Sequence, residues 1–552
     1  MVDSAKFSIF ADLRRNFGKF IIPLILLILA IGLGPFFQLN FFHSLPGDLG
    51  DSRLNNYFLE NAYLFLIGKS QSLWHLNFFY PFPYVLGFSD NLFGSLPIYF
   101  LARIFFRPDI AFLLWYLSSY LINYFCAYFV FRKLGFNQSA SIVGALIFSF
   151  ALPVSAQTSH VQLAYRFCIP LSFFYLICFV NGKSIKAFLL SLFFLAWQFY
   201  CTIYIGFFLL LAEVVFFLAY VSYDAWCNSL STLVQQYRNS FRLMRLSHIL
   251  IFLLLLLSLY LLFYPYLMVS HIYEVKRSSL EISSMLPRLS SYLLADDSRL
   301  WGSLSATVDM GSMRHEQQLF FGLIPLILFF YGLHLSFKGN KNLIAKSMAV
   351  TFLTLFVMSL SIKDVSAWAH FSNLPLFSAI RAVSRISLVM LFFLSYMAVV
   401  AVDSIARHSR VIIYILLILL IVEFSLVKVN SSPISEWRSR MDLYQRKIPS
   451  SLPPDSILIF AQRGHQFNVV EEIDAMWISL INGYSTMNGY SGYSPPAYGG
   501  EYGDQCINIQ KRIDSYLEVV KTADALKNRE GLVSKLVPIE FSDCKYPLKL
   551  SR

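Results

Sequence analysis

The 552-residue sequence predicts a polytopic α-helical membrane protein of about eleven transmembrane helices, followed by a small C-terminal α/β domain outside the membrane. Three observations lead to this fold class. Hydrophobic residues make up 57% of the chain and charged residues 14%, with a mean hydropathy of +0.58. Apolar runs close to the roughly 20 residues that span a bilayer as a helix recur up to residue 428. From residue 430 onward the hydropathy falls and stays low.

The apolar runs define the predicted spans. They lie near 20–42, 110–131, 139–154, 167–181, 187–201, 203–221, 248–269, 319–336, 347–362, 385–404 and 411–428. The run from 187 to 221 is too long for one span at about 1.5 Å per residue, so we place a break near Gln198–Thr202. Spans 139–154, 167–181 and 187–201 are short, which predicts an outward-facing cavity at their ends.

The distribution of basic residues predicts the orientation. With a cytoplasmic N-terminus, the inner segments carry a large excess of Lys and Arg over Asp3, Asp12 and Asp224. The outer segments are then the loops 43–109 and 270–318 and the region 430–552, so we divide the chain into a membrane domain, 1–429, and an outer domain, 430–552. The net charge of +12 belongs to the inner loops and does not indicate nucleic-acid binding.

The first outer loop carries two acids, Asp48 and Asp51, directly after the first span. An acid at the membrane edge is by default a functional hypothesis. Apolar residues between Asp51 and Lys69 recur at helical spacing, which predicts a helix lying along the membrane interface. Asp51 stands at its N-terminal end, where a carboxylate is favourable and where it also serves as an ordinary cap.

The outer domain combines two kinds of pattern. Ser456–Ala461 alternates as a strand does, and the apolar residues from Ile509 to Leu526 have helical spacing. Tyr490 and Tyr493 lie in a glycine-rich aromatic loop that suits stacking on sugar rings, although Asn-Gly is also an ordinary turn. Cys506 and Cys544 are the candidate disulfide of this domain. The Walker, dinucleotide, zinc and serine-nucleophile motifs are absent, which excludes pumps and hydrolases of those types.

Several motifs occur in one order along the chain. They are Gly47–Arg53, Phe79-Tyr80-Pro81, Ser89-Asp90, His160 with Pro170, Glu316 with Leu319–Leu323, Leu374–Phe377 with Ile380-Arg381 and Ser384-Arg385, and Asn488–Pro495. As a set, this series resembles the GT-C glycosyltransferase superfamily, in particular its YfhO-like bacterial branch. The resemblance covers most of the chain and implies a bacterial inner membrane protein with a periplasmic C-terminal domain.

The resemblance also implies a reaction. A sugar is taken from a polyprenyl-phosphate carrier and transferred, with inversion, to a hydroxyl of a glycan or lipid acceptor. An acid of the first outer loop is the general base, as the proton of the attacking hydroxyl requires. The family commonly shows an Asp-Glu pair or a lone Asp, whereas here the choice between Asp48 and Asp51 stays open; we favour Asp51 because it opens the helix.

The departing phosphate needs cationic partners, for which outward-facing Arg166, Arg381 and Arg385 are candidates. The alternative for each is an arginine that snorkels at a helix end. The other substrate-binding candidates are Arg53, Asp90, His160, Glu316, Tyr490 and Tyr493. His160 also fits an ordinary loop residue, and we expect Asp296 and Asp297 to form a solvated turn.

A divalent cation, Mg²⁺ or Mn²⁺, is a candidate cofactor, with Asp48, Asp51 or Glu316 as its ligands, although no His/Asp/Glu spacing matches a dedicated metal cage. Two other functions compete with transfer: a transporter or flippase of a lipid-linked glycan, and a non-catalytic envelope-assembly factor. A transporter favours internal repeats and polar groups near the membrane centre, whereas here the polar groups gather at the outer rim.

Overall fold

The computed structural model describes residues 21–275, 277–310, 313–338, 342–363, 365–371, 374, 377–461, 468–498, 505–520 and 525–540. These residues are mostly helical. The helices are α1 (Ile21–Ile31), α2 (Asp51–Leu66), α3 (Leu96–Phe105), α4 (Pro108–Lys133), α5 (Gln138–Phe150), α6 (Leu152–Ala156), α7 (Cys168–Gly182), α8 (Ile185–Cys201), α9 (Ile203–Asn228), α10 (Leu230–Arg242), α11 (Leu246–Ile272), α12 (Ser279–Ser284), α13 (Gly302–Ser305), α14 (Leu323–Phe337), α15 (Leu343–Ser359), α16 (Ala367–Phe371), α17 (Ser387–Ile405), α18 (Arg410–Ser425), α19 (Ile434–Gln445), α20 (Val469–Asn482), α21 (Gln505–Val520) and α22 (Ala525–Ser534). The strands are β1 (Ser44–Pro46), β2 (Ser361–Ile362), β3 (Val365–Ser366), β4 (Ser431–Pro433), β5 (Ile457–Phe460), β6 (Ser485–Thr486) and β7 (Leu536–Glu540).

The predicted spans coincide with helices. Among the described residues, six helical segments are long and apolar enough to cross a membrane, which confirms the class of polytopic membrane protein. They are Pro108–Lys133, Gln138–Ala156, Val161–Gly182, Ile203–Asn228, Leu246–Ile272 and Val383–Ile405. The remaining predicted spans are shorter helices, so the count of eleven crossings stays a prediction. Thr202 separates α8 from α9, where the sequence places the break.

Helix α17 is the centre of the bundle. Nearly all of its side chains from Ser387 to Val402 are buried. Two glycines allow the neighbouring helices to approach it closely, because a Cβ on Gly332 of α14 would lie 1.9 Å from the Met397 carbonyl oxygen and one on Gly144 of α5 would lie 2.3 Å from Val399. Small residues at such crossings are a common basis of helix packing in membranes.

At one end of the bundle the loop 43–109 meets the C-terminal region. Strand β1 pairs with β4 in an antiparallel ladder, and α2 packs on α20, with the rings of Tyr57 and Trp477 5.8 Å apart. Every residue of α2 from Ser52 to Ala62 is buried. Protein therefore covers the middle of α2, whereas Asp51 at its start and the last turn, Tyr63–Leu66, keep some exposure. The position of α2 along the membrane interface stays a prediction.

The C-terminal region contains the expected mixture of strands and helices. β5 lies between β6 and β7 in a three-stranded sheet whose pairings are parallel, and α19, α20, α21 and α22 accompany it. Two small clusters of buried side chains surround β5, while Trp477 of α20 belongs to the main core and donates a hydrogen bond to the Arg53 carbonyl. The domain boundary at 430 stays a prediction. The Cys506 side chain and Cys544 lie outside the described residues, so their pairing is a prediction too.

Candidate functional site

Four charged side chains from distant parts of the chain form a row at the end of the bundle where α2 lies. Asp51 opens α2, His160 lies in the turn before Val161, Glu316 in the loop before α14, and Arg385 just before α17. Asp51 Oδ2 is 3.4 Å from His160 Nδ1, and His160 Nε2 is 3.0 Å from Glu316 Oε1. Arg385 Nη2 is 2.8 Å from the same Glu316 oxygen. We call this row the charge chain.

The charge chain runs from an accessible end to a buried end. Asp51 is 31% exposed and His160 19%, whereas Glu316 and Arg385 are 4% and 5% exposed. The Arg385 guanidinium also lies over the ring of Tyr204, 5.0 Å from its centroid. Asp51 and His160 are therefore accessible from outside, while the deeper pair fixes the position of the imidazole.

The electrostatics favour full ionisation. Burial and the charge of Arg385 lower the pKa of His160, but its contacts with Asp51 and Glu316 outweigh them, and the net pKa is raised. Burial opposes the charge of Glu316, yet Arg385 and His160 hold its pKa well below the usual value. When His160 is protonated, the charges of Asp51, His160, Glu316 and Arg385 alternate in sign along the row and their sum is zero.

Asp51 accepts a second polar contact. The hydroxyl of Tyr490 donates a hydrogen bond to Asp51 Oδ1 at 2.8 Å. Burial raises the pKa of Asp51, but His160, Tyr490 and Arg385 together outweigh it and leave the pKa lowered. Gly50 is the N-cap residue of α2, and no side chain caps the helix there. The carboxylate of Asp51 contacts His160 and Tyr490 instead, so Asp51 is not simply a helix cap.

Asp48 lies beside this carboxylate and behaves differently. It is exposed, and Oδ1 accepts a hydrogen bond from the Gly50 N–H at 3.0 Å. Burial of part of its surface and the charge of Asp51 raise its pKa. Two neighbouring acids therefore have pKa values shifted in opposite directions, a pattern that assigns different roles to paired carboxylates in enzymes.

Asp90 and Tyr493 lie near the charge chain without joining it. Asp90 accepts hydrogen bonds from the Thr202 hydroxyl at 3.0 Å and the Ile203 N–H at 2.7 Å, so it caps α9. Burial raises its pKa, which the hydrogen bonds from Ile203 and Thr202 and the charge of Arg385 partly offset. Tyr493 stacks near the Arg277 guanidinium, 5.4 Å from its ring centroid.

Arg381 belongs to a second group at the mouth of the site. Its Nη1 is 3.1 Å from Glu281 Oε1, and Arg277 Nη1 reaches the same oxygen at 3.1 Å. Two guanidinium groups thus share one carboxylate and leave an excess positive charge. Arg277 also donates to the Gly492 carbonyl at 3.2 Å, which connects this group to the loop of Tyr490.

Arg53 and Arg166 lie away from the charge chain. Arg53 is 1% exposed and forms an ion pair with Asp474 Oδ1 at 2.7 Å, which links α2 to α20. Arg166 is buried beside Phe148 and lines a cavity that also reaches His160. Their substrate-binding roles stay predictions.

Sequence reasoning missed the residues that hold the Glu316 loop. Asp296 lies in an exposed turn, as expected, and its two carboxylate oxygens also accept hydrogen bonds from Arg314 Nε and Nη2, each at 2.7 Å. Gln318 Nε2 donates to Asp296 at 2.7 Å as well. Glu316 lies between these two anchors. The only signal in the sequence is the polar run from Arg314 to Gln318.

The residues do not fit a dedicated metal site. Among the described residues, no group of three His, Cys, Asp or Glu side chains has the geometry to hold a metal ion. The imidazole of His160 lies between the carboxylates of Asp51 and Glu316, so the ring occupies the space between these two acids.

Comparison with solved structures finds archaeal oligosaccharyltransferases of Archaeoglobus fulgidus. AglB in complex with an inhibitory peptide and a dolichol-phosphate matches with a TM-score of 0.47 and 10% identity over 86% of this chain and 65% of that chain. A complex with Zn and sulfate gives 0.44 and 12% over 85% and 62%. A form tethered to an acceptor peptide with the NVT sequon by a disulfide gives 0.47 and 10% over 87% and 64%.

This chain spans less than two thirds of each of those structures. TM-scores below 0.5 at such low identity do not establish a shared fold. No family model matches the sequence, and no curated protein matches it. The function is therefore inferred from the site.

Proposed function

We propose that this membrane protein is a glycosyltransferase of the GT-C type, which transfers a sugar from a polyprenyl-phosphate-linked donor to a hydroxyl group of a cell-envelope glycan or lipid. The observation that carries the proposal is the charge chain with a hydroxyl group already hydrogen-bonded to Asp51. The proposed place of action is the outer face of a bacterial inner membrane.

Asp51 is the proposed general base. The Tyr490 hydroxyl donates to it at 2.8 Å, the same type of contact that an acceptor hydroxyl makes with its base. In the reaction the acceptor oxygen bonds to the anomeric carbon, the bond from that carbon to the phosphate oxygen breaks, and the hydroxyl proton passes to Asp51. Attack opposite the leaving phosphate inverts the anomeric centre.

His160 and Glu316 have a supporting role in this proposal. The imidazolium keeps Asp51 ionised and orients its Oδ2, which leaves Oδ1 for the acceptor once Tyr490 moves aside. Glu316 contacts His160 Nε2 on the side of the ring away from Asp51, and Arg385 forms an ion pair with Glu316. Preorganised charges of this kind need little rearrangement during reaction.

The phosphate of the donor has cationic partners at the mouth of the site. Arg381 and Arg277 share Glu281, so a phosphate that reaches them meets an excess positive charge. A guanidinium binds phosphate in a bidentate manner. Tyr493, whose ring lies beside Arg277, is the proposed stacking partner of the sugar.

The test is a transfer assay with purified protein in proteoliposomes and radiolabelled polyprenyl-phosphate hexoses and pentoses. We expect Asp51→Asn to lower the rate by about 10²-fold or more, the usual contribution of a general base. Asp48→Asn tests the neighbouring acid, and Asp455→Asn, on a 63% exposed acid paired with Lys535, is the matched control that keeps activity.

Loss of transfer in Asp48→Asn alone would assign the base to Asp48 instead. Full activity in both variants would remove the base from this loop. If wild-type protein moves labelled lipid across the bilayer without any transfer, the protein is a flippase.

A further inference from the structure

Helix α10 lies at the end of the bundle opposite the charge chain. Helix α9 begins at Ile203, whose N–H donates to Asp90 near the charge chain. The 26 residues of α9 extend for about 39 Å at 1.5 Å per residue, enough to cross the roughly 30 Å hydrocarbon core of a bilayer. Because α10 follows the far end of α9, about the width of a membrane separates it from the charge chain.

One edge of α10 packs against the bundle. The ring of Tyr237 lies 5.9 Å from that of Phe217 in α9 and 5.6 Å from that of Phe179 in α7. Phe217 precedes Asn228, the last residue of α9, by several helical turns, so α10 folds back beside α9 and does not project away from it. Leu233 on the same edge is buried. Helix α10 therefore lies at the level of the helix ends, where the membrane surface is.

A second edge of α10 is apolar and exposed. Leu230, Val234 and Phe241 recur at helical spacing and none of them is covered by the bundle. Trp226, just before α10, is 90% exposed. Tryptophan is enriched where a membrane meets water. These side chains fit burial between the lipid chains beside the bundle.

Three arginines accompany the apolar edge. Arg238 and Arg242 follow Val234 at successive intervals of one helical turn, and Arg245 lies between α10 and α11. All three arginines are exposed, and within the described part of the chain none of them forms an ion pair. The sequence from 225 to 273 contains no Asp or Glu. The protein itself therefore leaves three positive charges beside α10 without a counter-charge.

We propose that α10 binds the phosphate head groups of anionic phospholipids in the adjacent leaflet, which the predicted orientation makes the inner leaflet. The arginines contact the lipid phosphates, while the exposed apolar edge inserts between the acyl chains. A helix with an apolar edge and a basic flank is typical of binding to an anionic membrane surface. An acidic protein or a nucleic acid would neutralise the arginines but leave the apolar edge uncovered. The proposal does not rest on glycosyl transfer, because α10 contains none of the residues of the proposed reaction.

The test measures equilibrium binding of fluorescent phospholipids to the full-length protein in neutral detergent micelles. Phosphatidylglycerol and phosphatidylcholine with the same acyl chains are compared at low and at high salt. We expect wild-type protein to prefer phosphatidylglycerol by about tenfold or more, since each arginine near an anionic surface contributes roughly fivefold. The preference should fall as the salt concentration rises. A triple variant with Arg238→Gln, Arg242→Gln and Arg245→Gln should lose it.

Two further triple variants are the controls. Lys at the same three positions keeps the charges and should keep the preference. Lys69→Gln with Arg299→Gln and Lys428→Gln removes three exposed charges outside α10 and should bind as wild type does. Because the three arginines of α10 are exposed and without ion pairs, we expect the triple Gln variant to unfold at the wild-type temperature in lipid-free micelles. A loss of binding is then a loss of the surface and not of the fold.

Each outcome supports or overturns the proposal. Equal binding of the two lipids by wild-type protein, or an unchanged preference in the triple Gln variant, overturns it. An equal loss in the variant outside α10 also overturns it, because the preference would then follow net charge alone. Binding of polyglutamate without binding of phosphatidylglycerol would assign the surface to an acidic protein instead. Asp51→Asn should bind both lipids as wild type does, so failure of the proposed transfer reaction leaves this test intact.

Discussion

Glu316 and Arg385 offer a quantitative test of the charge chain, because both are almost fully buried. They are 4% and 5% exposed, and 2.8 Å separates their nearest charged atoms. Breaking a buried pair by removing one partner leaves the other charge uncompensated and typically costs about 3–5 kcal/mol. We therefore expect Glu316→Gln and Arg385→Gln each to lower the free energy of unfolding by an amount in that range.

The double variant is the informative one. Glu316→Gln with Arg385→Gln leaves neither partner of the pair charged, so we expect it to lose less stability than the two single variants combined, and less than either alone. The measurement is equilibrium unfolding in mixed detergent–SDS micelles, followed by tryptophan fluorescence. Asp455→Asn is the control, since its exposed pair with Lys535 should contribute less than about 1 kcal/mol.

Activity and stability should separate in this series. The two single variants and the double variant should all lose transfer activity. Each removes either the Glu316 carboxylate that contacts His160 Nε2 or the Arg385 charge that holds this carboxylate in place. Strictly additive losses of stability in the double variant would refute the reasoning, since they would mean that the two charges do not compensate each other.

Three further predictions concern neighbouring contacts. Because the pKa of His160 is raised, its imidazole is protonated below the ordinary pKa of about 6.5 and loses the proton as pH rises through the higher value of the folded protein. We expect the rate of transfer to fall over that alkaline range. The variant His160→Gln should have low activity and should not show this alkaline fall. Tyr490→Phe removes a contact that lowers the pKa of Asp51, so the acid limb of the pH–rate profile should move to higher pH; an unmoved limb would exclude this coupling. Gly332→Ala should lower the unfolding temperature markedly, because its Cβ would meet the Met397 carbonyl at 1.9 Å, and an unchanged melting curve would contradict that packing.

The helices were the predictable part of the fold. Apolar runs of near-spanning length locate them, and the polar break near Thr202 separates α8 from α9. These features can be predicted because a helix in lipid satisfies its backbone hydrogen bonds within its own segment of the chain. The environment of α2 was not predictable in the same way. Its apolar spacing fits a surface helix, but the partner that covers its middle, α20, comes more than 400 residues later in the chain.

The sequence allowed the residues of the site to be predicted, but not the contacts between them. Asp51 and Arg385 follow from their positions next to predicted spans, His160 and Glu316 from the motifs of the family resemblance, and the structure brings all four together. Nothing in the sequence indicates which acid pairs with which base. For example, Arg53 stands two residues from Asp51 yet pairs with Asp474, because successive helical positions point in different directions.

The ladder between β1 and β4 has a consequence for how the protein matures. Ser44–Pro46 finds its partner only in Ser431–Pro433, and the bond from Tyr490 to Asp51 spans 439 positions. During synthesis the contacts that β1 and Asp51 make with β4 and Tyr490 therefore form only after almost the entire polypeptide has been made.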